Sequence, residues 1–281
     1  MNLMQYPRPE FSIGHFARPN SWELDGKDYA LVMDDGYDIT LCFRDRKLTF
    51  AQTDAAPSPA LGYYCFKGDD TTYFVSFEVS QKENHVFILD LAQRLVTHLI
   101  CEKGVNPRFP QVIRRTFCFG AIAMRGYKLP YKRHSFTTEH LGTTVQWRWS
   151  PQMLTKHAYL ESNWYRITWN DKGAAADEFD ATNEMIPATD DHAQYVKIKE
   201  NMILLSVTEE NGERLLGDRQ MFRCDNLTLL QNYDRMYQVG RGFGDLCKDG
   251  SWRHINVAFC SYGSPPELPE GFLERENPFT V

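Results

Sequence analysis

The sequence reads as an all-β protein made of two tandem antiparallel β-barrels related by an internal repeat. Three observations predict this. Apolar residues recur with period two, the segments that do so are short and bounded by turn residues, and a similar succession of segments occurs twice. Period two places alternate side chains on opposite faces of a strand. Short strands joined by tight turns at regular spacing suit a closed antiparallel sheet. Aromatic residues make up 14% of the chain, a high share. They favour strands and line small-molecule pockets.

In the first half, residues 37–43 (Tyr-Asp-Ile-Thr-Leu-Cys-Phe) and 71–79 alternate, and 86–91 form a short apolar run. In the second half the same texture returns at 143–149, 164–169, 195–198 and 202–208. Asp34-Asp35-Gly36, Lys67-Gly68-Asp69-Asp70, Asn170-Asp171-Lys172-Gly173 and Asn211-Gly212 are the turn signals between them. Helical signals are weak. Residues 174–185 are acidic and read as a loop, and 151–154 read as one helical turn. Gly240-Arg241-Gly242-Phe243-Gly244 lacks the Lys-Ser/Thr of a phosphate loop and reads as a turn or bulge near a barrel mouth.

The halves align from Gly26-Lys27-Asp28-Tyr29 and Gly142-Thr143-Thr144-Val145. On this reading the aromatic strand 73–77 corresponds to 164–169, and 85–91 to a hairpin over 195–208. Gly126 and Pro130 break any element between 125 and 133, so the expected domains are 1–130 and 131–262, followed by a Pro-rich tail, 263–281.

Charge and composition narrow the function. Thirty-seven acidic against thirty-one basic residues give a net charge of -6, without the basic footprint of a nucleic-acid binder. The basic cluster within 125–133 reads as a solvated linker. No apolar run reaches the ~18 residues that span a bilayer, and the first ten residues lack a signal-peptide core, so the expectation is a cytoplasmic protein with no membrane partner. Seven cysteines, an odd number with no Cys-x-x-Cys, read as reduced, buried thiols. No paired ligand spacing suggests a metal.

The second half carries a more specific pattern. His134-Ser135-Phe136-Thr137-Thr138-Glu139-His140-Leu141-Gly142 runs into Val145-Gln146-Trp147-Arg148-Trp149-Ser150-Pro151, then Met153, His157-Ala158-Tyr159-Leu160 and an aromatic strand ending at Trp169. This resembles the C-terminal domain of the MoaF family. The first half is similar to that family's N-terminal domain through Gly62-Tyr63-Tyr64, Tyr73-Phe74-Val75-Ser76-Phe77 and Leu89-Asp90-Leu91. The resemblance implies that the tandem barrels are calycin-like (lipocalin-type). It supplies no catalytic set, and no pterin or molybdate motif accompanies it.

Candidate site residues therefore come from the pattern itself. A barrel of this kind encloses a cavity for one small ligand, with apolar walls and a few orienting polar groups. His157, Tyr159 and Glu161 share parity on one strand, so they point to the same face. With that face inward, His157 is placed as general acid or base and Tyr159 as donor to a developing oxyanion. Arg148 and Arg166 offer planar forks for a carboxylate or phenolate. Glu139 completes the catalytic candidates and has the alternative of pairing with Arg133 or Lys132 at the domain junction. Trp147, Trp149, Tyr165, Arg166 and Trp169, with Tyr73 and Tyr64 in the first half, are the candidate substrate-binding residues. The expected function is cofactor-independent lyase, isomerase or cyclase chemistry, pericyclic reactions included, on an apolar aromatic or polyene molecule. A non-catalytic carrier or sensor for a small hydrophobic or aromatic ligand is the alternative, and a structural interaction module is a third. A homodimer stays open.

Overall fold

A computed structural model of the chain describes residues 16–108, 110, 112–150, 153–169, 189–209, 221–248 and 251–264. Every regular element among the described residues is a β-strand, and the ladders that build both barrels are antiparallel. The first barrel comprises β1 (Asp28–Met33), β2 (Asp38–Arg44), β3 (Lys47–Gln52), β4 (Tyr63–Lys67), β5 (Thr72–Ser80), β6 (Glu83–Asp90), β7 (Leu95–Glu102) and β8 (Arg114–Ala123). After the two-residue β9 (Ser135–Phe136) come β10 (Thr144–Ser150), β11 (Met153–Glu161), β12 (Trp164–Trp169), β13 (Thr189–Lys199), β14 (Met202–Glu209), β15 (Met221–Asn232), β16 (Tyr237–Lys248) and β17 (Ser251–Ser264).

The two sheets have one topology. The first runs β3-β2-β1-β8-β7-β6-β5-β4, the second β12-β11-β10-β17-β16-β15-β14-β13, with β9 added beside β13. Each is an up-and-down meander whose first strand pairs with its last. The second closes fully, because Trp164 to Ile167 on β12 pair with His192 to Thr189 on β13. The first closes nearly, through a single bridge between Leu48 and Leu61. Closure removes the open edges that invite aggregation. One compact unit holds 19–135 with 197–200. The other holds 136–196 and 201–264, with 16–18, among the described residues.

The repeat extends to individual hydrogen bonds. Gly26 N–H donates to Phe43 O at 2.9 Å and Gly142 N–H to Tyr159 O at 2.8 Å. Phe43 N–H returns to Lys27 O, and Tyr159 N–H to Thr143 O. Both glycines have positive φ, 80° and 81°, at the entry to the first strand of each barrel. Later, Ile122 N–H donates to Arg94 O and Gly263 N–H to Met236 O, with positive φ at both Arg94 and Met236. With these anchors, 164–169 is the third strand of its barrel and corresponds to 47–52. The expected match to 73–77 is corrected, because aromatic content follows what a strand packs against and not its place in the meander.

Alternation decides which side chains fill each barrel. Leu31, Leu41, Phe43, Val75, Phe77 and Phe87 pack inside the first, and Trp147, Tyr159, Tyr165, Ile203, Leu205 and Phe259 inside the second. A fully buried aromatic or aliphatic side chain contributes about 1.5–3 kcal/mol, so these layers carry much of the stability. Of the hairpin turns, the one at Gly36 is expected from the sequence, and those at Asp45-Arg46 and Asn201 are not among its turn signals. Gly36 has φ 88°, Asp45 and Arg46 turn β2 into β3 with φ 54° and 59°, and Asn201 turns β13 into β14.

Two local expectations change. Gly240 to Gly244 is the middle of β16, a continuous strand and not a turn. Gly240 and Gly242 face inward opposite Leu229 and Leu227. A Cβ at Gly242 would come within 2.9 Å of the Phe259 ring, so the glycine accommodates that ring. Met153 and Leu154 begin β11 instead of forming a helical turn, while Pro151 and Gln152 lie outside the described residues. The acidic segment 174–185 and the turn signals at 170–173 and 211–212 also lie outside them; of the tail expected over 263–281, Gly263 and Ser264 end β17 and the rest lies outside the described residues. Cys42, Cys65, Cys101, Cys118 and Cys260 are free thiols, and burial pushes Cys65 up to about 12.

The two glycine types give separate tests. Nothing lies within 4 Å of a Cβ built on Gly142, so Gly142→Ala carries only the penalty of a positive φ, about 1 kcal/mol. Gly240→Ala would drive its Cβ into the carbonyl of Thr228 and is expected to cost more. Urea unfolding of both variants checks this order.

Candidate functional site

The shared register lets the two interiors be compared position by position. Through Gly26/Gly142 and the ladders that follow, Leu31, Met33, Ile39, Leu41, Phe43 and Leu48 correspond to Trp147, Trp149, Thr155, His157, Tyr159 and Tyr165. The first barrel fills these places with aliphatic side chains and one phenylalanine. The second fills them with side chains that all carry a hydrogen-bonding atom, and all six are at most 4% exposed. Burying a polar group costs free energy unless it is bonded. The second interior is therefore where the sequence departs from what packing alone requires.

His157 sits at the centre of this group, its ring 5.2 Å from that of Tyr165 and 6.4–6.5 Å from those of Trp147, Trp149 and Tyr159. Trp149 Nε1–H donates to Thr155 Oγ1 at 2.8 Å, and that hydroxyl lies 3.0 Å from His157 Nε2. With Thr155 donating onward, Nε2 is an acceptor and the ring proton is on Nδ1. Nδ1 makes no hydrogen bond among the described residues, and neither does the Tyr165 hydroxyl. Burial pulls the His157 pKa down to about 3, so the imidazole is neutral near pH 7. Burial also raises Tyr165 well above the usual phenol range, and the carboxylates of Asp191 and Glu209 add to it.

Tyr159 is held differently. Gln231 Nε2 donates to its hydroxyl at 3.0 Å and to Gln238 Oε1 at 2.7 Å. Gln238 Nε2 donates to Ser261 Oγ at 2.7 Å, and the Tyr233 hydroxyl donates to Gln231 Oε1 at 2.9 Å. Burial raises the Tyr159 pKa, opposed by bonds from Tyr233, Trp147 and Gln231. Gln231, Gln238 and Ser261 are fully buried.

The structure brings His157 and Tyr159 together inside the barrel with Trp147, Trp149 and Tyr165. The other candidates are elsewhere. Arg148 is exposed on the opposite face of β10. Arg166 is on the outer face of β12, where Nε and Nη2 bind both oxygens of Asp190 at 2.7 and 3.0 Å. Glu139 is exposed in the segment after β9, and Arg133 binds Asp34 at 2.8 Å instead of serving as its partner. A register shift between Tyr159 and Glu161 turns Glu161 out to solvent, so the expected shared face ends at Tyr159. The Trp169 side chain lies outside the described residues. In the first barrel, Tyr73 is buried and its hydroxyl donates to Glu23 at 2.8 Å, while Tyr64 is on the outer face, stacked on Phe66.

Sequence reasoning missed the glutamine network and a second buried group. In the first barrel, His85 Nε2 lies 2.8 Å from Glu83 Oε1, and His85 Nδ1 lies 2.8 Å from His98 Nε2. A carboxylate accepts only, so protons on Nε2 of both rings give a chain from His98 through His85 to Glu83. The two imidazoles stack among Phe77 and Phe87, with His98 and Phe87 4.0 Å apart. By register their counterparts in the second barrel are Leu227 and Gly240. The available signal was parity: His85 and His98 occupy inward positions of adjacent strands.

Twin eight-stranded meanders, one aliphatic and one polar-aromatic at equivalent positions, define a tandem-barrel protein. Residues 11–103, which include most of the first barrel, match the family profile described as the MoaF N-terminal domain. No curated protein matches the chain.

Three buried histidines with depressed pKa values, His98, His134 and His157, set an acid limit. Burial lowers His157 to about 3 and His98 well below its usual value. The unfolded chain, with histidines near 6.5, binds more protons below that pH. Stability is thus intact above about pH 6.5 and falls toward pH 3, by up to about 1.4 kcal/mol per pH unit for each group. His157→Gln is expected to flatten this loss. Unfolding free energies at pH 7.5 and pH 5 for both proteins measure it.

Proposed function

We propose that the second barrel binds a small, planar, largely apolar molecule carrying an oxygen acceptor. The observation that carries this reading is the buried His157 Nδ1–H, a neutral donor with no protein acceptor among the described residues. A donor left without a partner in a buried site costs about 1–3 kcal/mol. A carbonyl or ether oxygen on a bound molecule offsets that cost, and the rings of Trp147, Trp149, Tyr159 and Tyr165 supply an apolar wall suited to a flat ligand. The neutral imidazole supports hydrogen bonding over charge pairing, and Asp191 and Glu209 near Tyr165 disfavour an anion. The parallel architecture supports reading this barrel as the family's C-terminal domain.

A second reading is catalysis without a cofactor, as a lyase, isomerase or cyclase. The fixed phenol of Tyr159 favours it. Gln231, Gln238, Ser261 and Tyr233 hold that hydroxyl in one place, and a fixed donor stabilises a developing oxyanion better than a mobile one. In this mechanism Tyr159 and His157 act as neutral donors. Arg148 and Glu139, outside the barrel interior, do not take part.

Tryptophan fluorescence with coumarin and naphthalene as probes tests the binding reading. Coumarin is expected to quench the native protein and to bind about tenfold more weakly to His157→Phe, the size of one lost hydrogen bond to a buried group. Naphthalene, which has no acceptor, is expected to bind both alike. Equal coumarin affinity in the two proteins would remove His157 from the site. For catalysis, Tyr159→Phe is expected to abolish turnover on any substrate found, and full turnover in both Tyr159→Phe and His157→Ala would exclude that mechanism.

A further inference from the structure

A cleft of about 470 Å³ opens on the second unit where β9 runs beside β13, outside the barrel interior. Both walls are tied to β13. Thr137 N–H donates to Tyr195 O at 3.0 Å on one side, and Ala193 N–H donates to Asn163 O at 2.9 Å on the other. Glu139 N–H donates to Thr137 Oγ1 at 3.2 Å, which sets the turn that carries Glu139. The cleft is therefore shaped by main-chain bonds before any ligand arrives, and its volume lies within the range of small-molecule sites.

Its lining has a distinct composition. Thr138 and Ser162 present hydroxyls, Asn163 and Gln194 present amides, Glu139 is the one charged group among the described lining residues, and Phe136, 54% exposed, brings an aromatic ring. Thr138, Glu139, Ser162 and Asn163 are exposed, and Gln194 is half-buried, so their polar atoms can reach a ligand. An amide both donates and accepts, and a carboxylate accepts from hydroxyls. This matches a molecule with adjacent hydroxyl groups, each of which donates and accepts in turn. The Phe136 ring matches the apolar C–H face of a sugar ring. The Glu139 carboxylate works against an anion.

We propose that this cleft binds a neutral polyhydroxylated ligand, of the class of a monosaccharide or its glycoside. The site is separate from the His157 interior and does not depend on that reading.

Saturation-transfer NMR on the full chain tests it, with methyl glucoside, methyl galactoside and methyl mannoside as neutral probes and methyl glucuronoside as the anionic one. At least one neutral glycoside is expected to receive saturation on its ring C–H protons. Phe136→Ala and Asn163→Ala should each weaken it about fivefold or more, with the melting temperature unchanged because both residues are at the surface. The glucuronoside should bind more weakly than the corresponding neutral glycoside and recover in Glu139→Gln. No saturation of any neutral glycoside, or affinities that ignore both the Phe136 and Asn163 substitutions, would overturn the proposal. So would a preference for glucosamine over N-acetylglucosamine, since it would point to a site for cations.

Discussion

Closing a sheet on itself takes the inward side chains out of water, and each polar atom there is then either bonded within the barrel or left without a partner at a cost in free energy. This constraint orders the whole second interior. It neutralises His157, raises Tyr159 and Tyr165, and sets the value of each glutamine contact. The first barrel obeys the same constraint with fewer polar groups. There His98 and His85 form a short chain that ends at Glu83, which is partly exposed and can keep its charge in water.

Much of the architecture was legible because alternation survives translation into structure almost unchanged. The strand segments at 37–43, 71–79, 143–149 and 202–208 overlap β2, β5, β10 and β14. Turn residues supplied the punctuation, as Gly36 shows with its positive φ. The glycines of β16 misled because glycine usually marks a turn, whereas here it makes room for Phe259 across the barrel. That depends on a neighbouring strand, which local pattern does not reveal.

The candidate site was legible only in part, for a related reason. Parity placed His157 with Tyr159 and separated Arg148 from Trp147 and Trp149, but it did not say which face is dry. Once the aromatic face is inward, Arg166 must be outward, and its pairing with Asp190 follows. Glu161 escaped prediction because a single bulge reverses parity. Gln231, Gln238 and Ser261 were hidden because a network spread over three strands has no footprint in any one of them.

Arg94 and Met236 share nothing chemically, yet both adopt an unfavourable left-handed dihedral at the same corner of their barrels and accept the same main-chain bond through their carbonyls. The route of the backbone has thus outlasted the side chains that line it. Kinship between the halves is recorded in dihedral angles and ladder offsets, and a letter-by-letter comparison of the two would understate how closely one copies the other.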